Sequence, residues 1–194
     1  MTSAVMITRL KNRSGQRWTS AQCLVFLNDA QDRLIEKLNH LYFTEITEID
    51  TLTLTGKTGL LSALSPDIYD DSSVIAMRYE DGDTPFYTEI PFSRIKDTEN
   101  TLLAPTNEDP MYYVYAGSIY AKQPASAPDV TVFYIREPLV ITAAVNTELD
   151  SSLHELLVTI AESFGWVMDN RGGRAALAVK SYTREIEMMN GRQL

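Results

Sequence analysis

The stretch TSAQCLVFLNDAQDRLIEKLNHLY, residues 19–42, decides the fold class of the N-terminal part of the chain. Its apolar residues recur at intervals of three and four, which places them on one side of an α-helix. They are Leu24, Leu27, Ala30, Leu34, Leu38 and Leu41. Thr19 or Ser20 can accept a hydrogen bond from an unpaired amide of the first turn. The spacing therefore predicts an amphipathic helix from Thr19 to about Tyr42.

Two further helices are predicted near the other end of the chain. The first begins at Ser152-Leu153-His154-Glu155, which fits a capping box, and apolar residues at helical spacing continue it to Met168. Asn170-Arg171-Gly172-Gly173 is expected to end it, because paired glycines supply the backbone freedom of a helix stop. The second carries an apolar stripe from Ala175 to Met189 and ends near Asn190-Gly191.

The long segment between these helices has the composition of β-structure. Short runs rich in β-branched and aromatic residues predict antiparallel strands. The runs are Thr51–Thr55, Val74–Tyr79, Met111–Tyr115, Ile119–Lys122 and Val130–Arg136, and turn or loop residues stand at Glu80–Asp83, Asn107–Pro110 and Gln123–Pro128. Val130–Ile135 is apolar on both faces, which predicts a strand that is central or covered on both sides. Hairpins are expected around Ala116-Gly117-Ser118 and between Thr51–Thr55 and Gly59–Leu64.

These elements predict an α+β fold, in which an antiparallel helical bundle is built from N- and C-terminal helices and an antiparallel β-rich region is inserted. Residues 1–43 form the N-terminal part of the bundle, residues 44–138 the insertion, and residues 139–194 the C-terminal helices and a tail. Helices that must cover one another lie at opposite ends of the chain, so we expect the bundle to need both ends to fold.

Composition narrows the class of protein. The chain has 194 residues, of which 44% are hydrophobic and 22% charged, and this is not the composition of a mainly disordered chain. Cys23 is the single cysteine, and there is neither a signal-like start nor an apolar run of ~18 residues. We therefore expect a soluble protein of a reducing compartment, without a signal peptide or a membrane span.

The charges are distributed unevenly along the chain. There are 17 basic and 26 acidic residues, for a net charge of −9, which argues against tight wrapping of nucleic acid. Residues 1–17 hold four basic groups and no acidic one, and residues 171–194 hold five basic and two acidic groups. Residues 44–113 hold fourteen acidic and four basic groups. An acidic face that only aids solubility is one interpretation of this middle segment.

No residue pattern indicates catalysis or a cofactor. The only histidines, His40 and His154, accompany no Gly-x-Ser-x-Gly elbow, and Cys23 is expected to be a packing residue. Gly56-Lys57-Thr58-Gly59 lacks the upstream glycine of a phosphate loop. The acids around Asp67–Asp71 lack the pattern of a calcium loop, and no Cys or His pair has metal-ligand spacing. We predict that the protein is not an enzyme and binds no cofactor or metal. A structural or interaction protein is favoured instead.

Aromatic residues are concentrated in the predicted strands, at Tyr112, Tyr113, Tyr115, Tyr120, Phe133 and Tyr134. Stacking on single-stranded nucleic acid needs interleaved basic residues, and only Lys122 and Arg136 are near. Core packing and subunit contacts are therefore favoured for these rings. Trp18 and Trp166 are expected in the core for the same reason.

Three motifs, in this order, resemble the head-to-tail adaptor, or connector, family of tailed bacteriophages. Phe26-Leu27-Asn28-Asp29-Ala30-Gln31 is similar to the centre of the family's early helix. Leu64-Ser65-Pro66-Asp67, followed by Ser73–Tyr79, resembles its entry into a β region, with the proline delayed by Ser65. Tyr113–Tyr120 with Pro124, then Val130–Tyr134 and Glu137-Pro138, resembles its closing strands, with Gln123 before the proline as a departure.

The resemblance implies a structural neck protein of the virion, present in the host cytoplasm during assembly. Twelve copies would form a ring beneath the portal, extend the DNA channel and join head to tail. The implied partners are the portal ring, other copies of the chain and a downstream neck or tail protein, while DNA passes without specific binding. The alternatives are a stopper or tail-terminator protein of the neck, or a soluble ligand-binding domain.

The resemblance also implies which residues make contacts. The C-terminal helix and tail would reach the portal, and the docking candidates are Arg174, Lys180, Arg184, Met188, Met189, Arg192 and Leu194. Their basic groups would face the portal or a neighbouring subunit. Acidic residues of the middle segment would line the channel, where like charge keeps DNA from sticking. These channel candidates are Asp67, Asp70, Asp71, Asp81 and Asp83.

Overall fold

The computed structural model describes residues 1–79, 86–99, 104–106, 108–122 and 129–191. Four helices and seven strands lie within them, and the α+β class is confirmed. The helices are α1 Ser3–Ser14, α2 Ser20–Lys37, α3 His154–Met168 and α4 Gly172–Gly191. The strands are β1 Thr47–Thr53, β2 Thr58–Leu60, β3 Val74–Tyr79, β4 Thr88–Glu89, β5 Met111–Tyr115, β6 Ser118–Lys122 and β7 Asp129–Ile135.

The chain divides into two compact units. Residues 1–45 and 138–194 form one, which contains all four helices and is called the helical unit below. Residues 46–137 form the other, which contains the strands and is called the β unit.

Helix α3 is the centre of the helical unit, since it packs against α1, α2 and α4. Both tryptophans are buried in this core, as predicted, and the Trp18 ring lies 5.0 Å from that of Trp166 and 5.4 Å from that of Phe26. Gly165 of α3 makes this packing possible, because a Cβ atom there would lie 2.7 Å from Cε2 of Trp18. The indole N–H of Trp18 donates to the Asp169 carboxylate at 3.1 Å.

Helix α1 was not predicted, because its sequence is short and largely polar. It begins after Thr2, whose hydroxyl accepts from the Val5 amide, and ends at Gly15, whose φ is +67°. Met6 and Leu10 are fully buried. Two arginines of the basic N-terminal segment form ion pairs within the helical unit. Arg9 pairs with Glu155, and Arg13 pairs with Glu155 at 3.2 Å and with Glu162 at 2.9 Å.

Helix α2 begins as predicted but ends earlier. Thr19 and Gln22 form a capping box at its start, and the helix stops at Lys37. A separate 3-10 turn, His40–Tyr42, follows. The predicted end at about Tyr42 is therefore wrong, because Leu38 is the extended cap residue after α2 and Leu41 lies in the separate 3-10 turn.

Two details of the predicted C-terminal helices are also wrong. Ser152 and Glu155 form no capping box, because Asp150 accepts from the Ser152 amide at 2.7 Å while Glu155 pairs with arginines of α1. The break after α3 depends on Asn170, whose φ is +55°, and not on paired glycines. Gly172 and Gly173 instead form the first turn of α4.

The β unit contains two sheets with strand orders β1-β7-β3 and β2-β6-β5-β4. Strand β7 is central, as predicted, and its inward residues Val130, Val132 and Tyr134 are fully buried. They belong to one apolar core with residues of the second sheet, such as Tyr112 and Ile119. The β5–β6 hairpin around Ala116-Gly117 is confirmed, with positive φ at both residues.

Two predictions about the strands need correction. The β region is not wholly antiparallel, since β4 and β5 pair in parallel. Thr55 and Thr58 do bridge a tight turn, but the flanking strands enter different sheets, β1 beside β7 and β2 beside β6. The predicted turn at Glu80–Asp83 and the loop at Gln123–Pro128 lie outside the described residues, as does Asn107 of the third loop.

Candidate functional site

Helix α4 has two different faces. Ala175, Ala178, Tyr182 and Ile186 form the buried stripe. On another side the residues Leu177, Ser181, Arg184 and Met188 follow one another at helical spacing, with Lys180 beside them. Leu177 is 71% exposed and Met188 is 47% exposed. A helix with one packed stripe and a second, exposed apolar-and-basic stripe has a surface available to a partner.

The exposed stripe borders a groove of about 650 Å³, called the α4 groove below. Its lining residues are Ser152, Leu177, Lys180, Ser181, Arg184, Glu185, Met188 and Met189. A second hollow of about 450 Å³ shares Leu177 and Ser181 with the groove and also contains Arg174. The structure thus brings four of the predicted docking residues into one groove and places Arg174 next to it. Arg192 and Leu194 lie outside the described residues.

The α4 groove combines positive charge with apolar side chains. Within the part of the chain that the structure describes, neither Lys180 nor Arg184 has an ion-pair partner. Arg174 is held differently, because its guanidinium lies over the Trp166 ring at 4.6 Å from the ring centre. The groove therefore suits a partner with aliphatic and acidic side chains, which would neutralise Lys180 and Arg184.

The C-terminal end of α4 is held firmly in the helical unit. The Tyr42 hydroxyl donates to the Met189 carbonyl at 2.9 Å. The Asn190 side chain accepts from the Asn39 amide at 3.0 Å and donates to the Lys37 carbonyl at 3.1 Å. The chain therefore leaves α4 from a defined position next to the end of α2.

The acidic candidates that the structure describes, Asp67, Asp70 and Asp71, are all exposed in the β unit. Asp70 accepts from the hydroxyls of Ser72 and Ser73 at 2.8 and 2.7 Å. Asp71 accepts from the Gly117 amide at 2.8 Å. These carboxylates shape their own loop while remaining open to solvent. Asp81 and Asp83 lie outside the described residues.

The sequence did not predict the structural role of the Asn28 and Gln31 side chains. The Asn28 side chain donates to the Ile141 carbonyl at 3.0 Å and accepts from the Ile141 amide at 2.8 Å. Gln31 donates to the Leu139 carbonyl at 3.1 Å and accepts from the Thr147 hydroxyl at 2.7 Å. This pair of side chains, called the α2 clasp below, holds the segment before α3 along the helix.

The helical spacing predicts Gln31 on the solvent-facing side of α2, together with Asp29, Asp32, Glu36 and Lys37. This prediction is wrong for Gln31, which the structure buries to 2% exposure. A buried polar side chain needs hydrogen-bond partners. What the spacing could not reveal is that those partners lie more than a hundred positions further along the chain.

Two of the three residues considered for catalysis, His154 and Cys23, are buried in the helical unit. The amino group of Met1 contacts Nδ1 of His154, and Nε2 of His154 lies 2.9 Å from the Leu149 carbonyl. Burial lowers the pKa of His154, so the neutral ring is favoured. Cys23 is fully buried, and desolvation raises the pKa of its thiol. His40 is exposed on the turn that follows α2.

The predicted aromatic cluster separates into two groups. Tyr112 and Tyr134 are core residues, and burial raises the pKa of Tyr134 to about 12. Tyr113 stacks on Tyr120 with ring centres 4.7 Å apart. Tyr115 stacks on Phe92 at 4.2 Å. These outer rings therefore stack in pairs, while Tyr115 and Phe92 remain 50% and 52% exposed.

Among the described residues no helix has the length and hydropathy to cross a membrane, and no three His, Cys, Asp or Glu side chains could hold a metal ion together. No curated protein matches the chain. Residues 1–193 do match the family described as SU10 adaptor protein. The match covers nearly the whole sequence, and the chain therefore belongs to the SU10 adaptor protein family, a family of phage head-to-tail adaptors.

Proposed function

We propose that this phage adaptor, a component of the virion, forms a ring of twelve copies beneath the portal. The ring extends the DNA channel and joins the head to the tail, and its role is structural. The observation that carries the proposal is the family match over residues 1–193. A chain of this family makes its contacts with other phage head and tail proteins, and its exposed surfaces are where such partners bind.

The C-terminal part of the chain is proposed to bind the portal. Two features support this assignment. The end of α4 is anchored through Tyr42 and Asn190, so the following residues start from a fixed point. Met188, Met189 and the basic side chains of α4 are accessible in or beside the α4 groove. The basic groups face either the portal or a neighbouring subunit.

The acidic candidates of the β unit are proposed to face the channel. Asp67, Asp70 and Asp71 are exposed, and residues 44–113 carry far more acidic than basic groups. Negative charge along a channel repels the phosphate backbone and lets DNA pass without specific binding. A downstream neck or tail protein binds the distal side of the ring, and the ring is assembled in the host cytoplasm.

Native mass spectrometry of the purified chain with the portal ring of the same phage tests the proposal. We expect the portal ring to gain twelve copies of the chain, in a complex whose mass leaves no ambiguity about the number. Circular dichroism of the same preparation establishes that the chain is folded. A folded chain that does not associate with the portal refutes the adaptor proposal, and association with a distal neck ring instead would indicate a stopper or tail-terminator protein.

A further inference from the structure

Helix α2 carries an exposed stripe of acidic and apolar side chains. Val25, Asp29, Asp32 and Glu36 recur at intervals of four, three and four residues, so they share one face of the helix. All four are exposed, Val25 to 57%.

The α2 clasp adds two aliphatic side chains to this stripe. Because Asn28 and Gln31 hold residues 139–141 against α2, Leu139 and Val140 lie alongside it, 54% and 66% exposed. Exposed aliphatic side chains on a segment held by hydrogen bonds form a contact surface that needs little ordering on binding. Val25, Asp29, Asp32, Glu36, Leu139 and Val140 together are called the α2 surface.

The α2 surface and the α4 groove are complementary in charge and alike in apolar content. Asp29 and Asp32 stand one turn apart on α2, and Lys180 and Arg184 stand one turn apart on α4. Aliphatic groups flank both pairs, namely Val25 and Val140 on one surface and Leu177 and Met188 on the other. Opposite charges within an apolar border favour one register of two docked surfaces.

A chain cannot bring its own two surfaces together. In the folded chain the end of α2 contacts the end of α4 through residues outside both surfaces, since the Asn190 side chain donates to the Lys37 carbonyl at 3.1 Å. The α4 groove is bordered instead by Ser152, which precedes α3. The two surfaces are also different from each other, and a contact of the α2 surface with its own copy across a two-fold axis would place acid against acid.

We propose that the α2 surface of one copy packs into the α4 groove of the next copy of this chain. The contact is head-to-tail, and such a contact closes into a ring when the rotation between copies allows it. The inference rests on the proposed ring. It assigns the basic groups Lys180 and Arg184 to the neighbouring subunit and leaves the residues that follow Met189 for the portal.

Charge reversal tests the contact. One variant carries Asp29→Lys with Asp32→Lys, and a second carries Lys180→Glu with Arg184→Glu. We expect each variant alone to self-associate at least about tenfold more weakly than the wild type, because like charges then meet across the contact. A mixture of the two variants should associate again in alternating copies, and a chain with all four substitutions should also recover. Lys37→Glu and Glu187→Lys, exposed changes outside both surfaces on the same helices, are the controls.

Sedimentation velocity of each chain alone, and native mass spectra of each chain with portal rings, measure the outcome. Variants that assemble like the wild type, or folded variants that the mixture does not rescue, overturn the contact. A wild-type chain that never forms contacts between copies, with or without the portal, also overturns it. This test separates the contact between copies from the portal proposal. Rings that form without the portal and weaken on charge reversal would support the contact even if the chain does not bind the portal.

Discussion

The α2 clasp predicts that a single side-chain truncation on α2 weakens the attachment of a distant segment. Asn28→Ala removes the partner of both the amide and the carbonyl of Ile141, as well as a hydrogen bond to the Leu24 carbonyl. Ile141 itself is 1% exposed. A buried backbone group left without a partner costs about 1–3 kcal/mol, and water can reach part of this site. We therefore expect a loss of about 2–3 kcal/mol in the free energy of unfolding.

Urea denaturation followed by circular dichroism measures the loss. Asp29→Ala is the matched control, since Asp29 is the exposed neighbour of Asn28 and surface substitutions stay within about 0.5 kcal/mol. Amide hydrogen exchange locates the effect, because the Ile141 amide should exchange faster in Asn28→Ala than in the control. A loss below about 0.5 kcal/mol, or an unchanged exchange rate at Ile141, would refute the reasoning.

Four further outcomes are expected. Gly165→Ala should destabilise the chain by about 1–3 kcal/mol, because the added Cβ meets the Trp18 ring. Gly173→Ala should stabilise the chain by up to about 1 kcal/mol, because Gly173 lies in the first turn of α4 with open space around it. Equal effects of the two substitutions in thermal denaturation would contradict this. His154 has a lowered pKa in the folded chain, so the free energy of unfolding should fall as the pH drops below the ordinary histidine pKa of about 6.5. In urea titrations at several pH values, His154→Gln should reduce this dependence of stability on pH, and His40→Gln should not. Deletion of residues 190–194 should abolish association with the portal ring in native mass spectrometry, and retained binding would move the docking site elsewhere. Asn substitution of Asp67, Asp70 and Asp71 together should raise the affinity of the assembled ring for DNA in a salt-dependent manner, and an unchanged salt slope would count against the channel assignment.

The sequence alone predicted elements whose signal is local. The helical period of residues 19–42 predicted α2, and the β-branched runs predicted β3 and β5 with their observed bounds. The apolar character of residues 130–135 on both faces predicted the central position of β7, since only a strand covered on both sides tolerates it. The order of the three motifs indicated the adaptor family. Each element prediction needs only residues close together in the chain, and each of the three motifs is itself a short run of residues.

The candidate site could be predicted in part. The basic and apolar side chains near the C terminus are adjacent in sequence, so their helical spacing already placed Arg184 and Met188 near each other. The groove itself depends on Ser152 and on the way α4 packs against α3, and no sequence pattern describes that.

Tertiary structure decided what depends on distant partners. Helix α1 has a polar sequence that becomes helical because Met6 and Leu10 are buried and its arginines pair with α3. Those same pairs occupy Glu155, and the predicted capping box is lost. Strand β1 turns away from β2 to pair with β7, some eighty positions later. Asn28 and Gln31 likewise find their partners only in the folded chain. Buried polar and charged groups pair with the groups that tertiary packing places next to them. The residue type therefore shows that a partner is needed but does not show which residue it is.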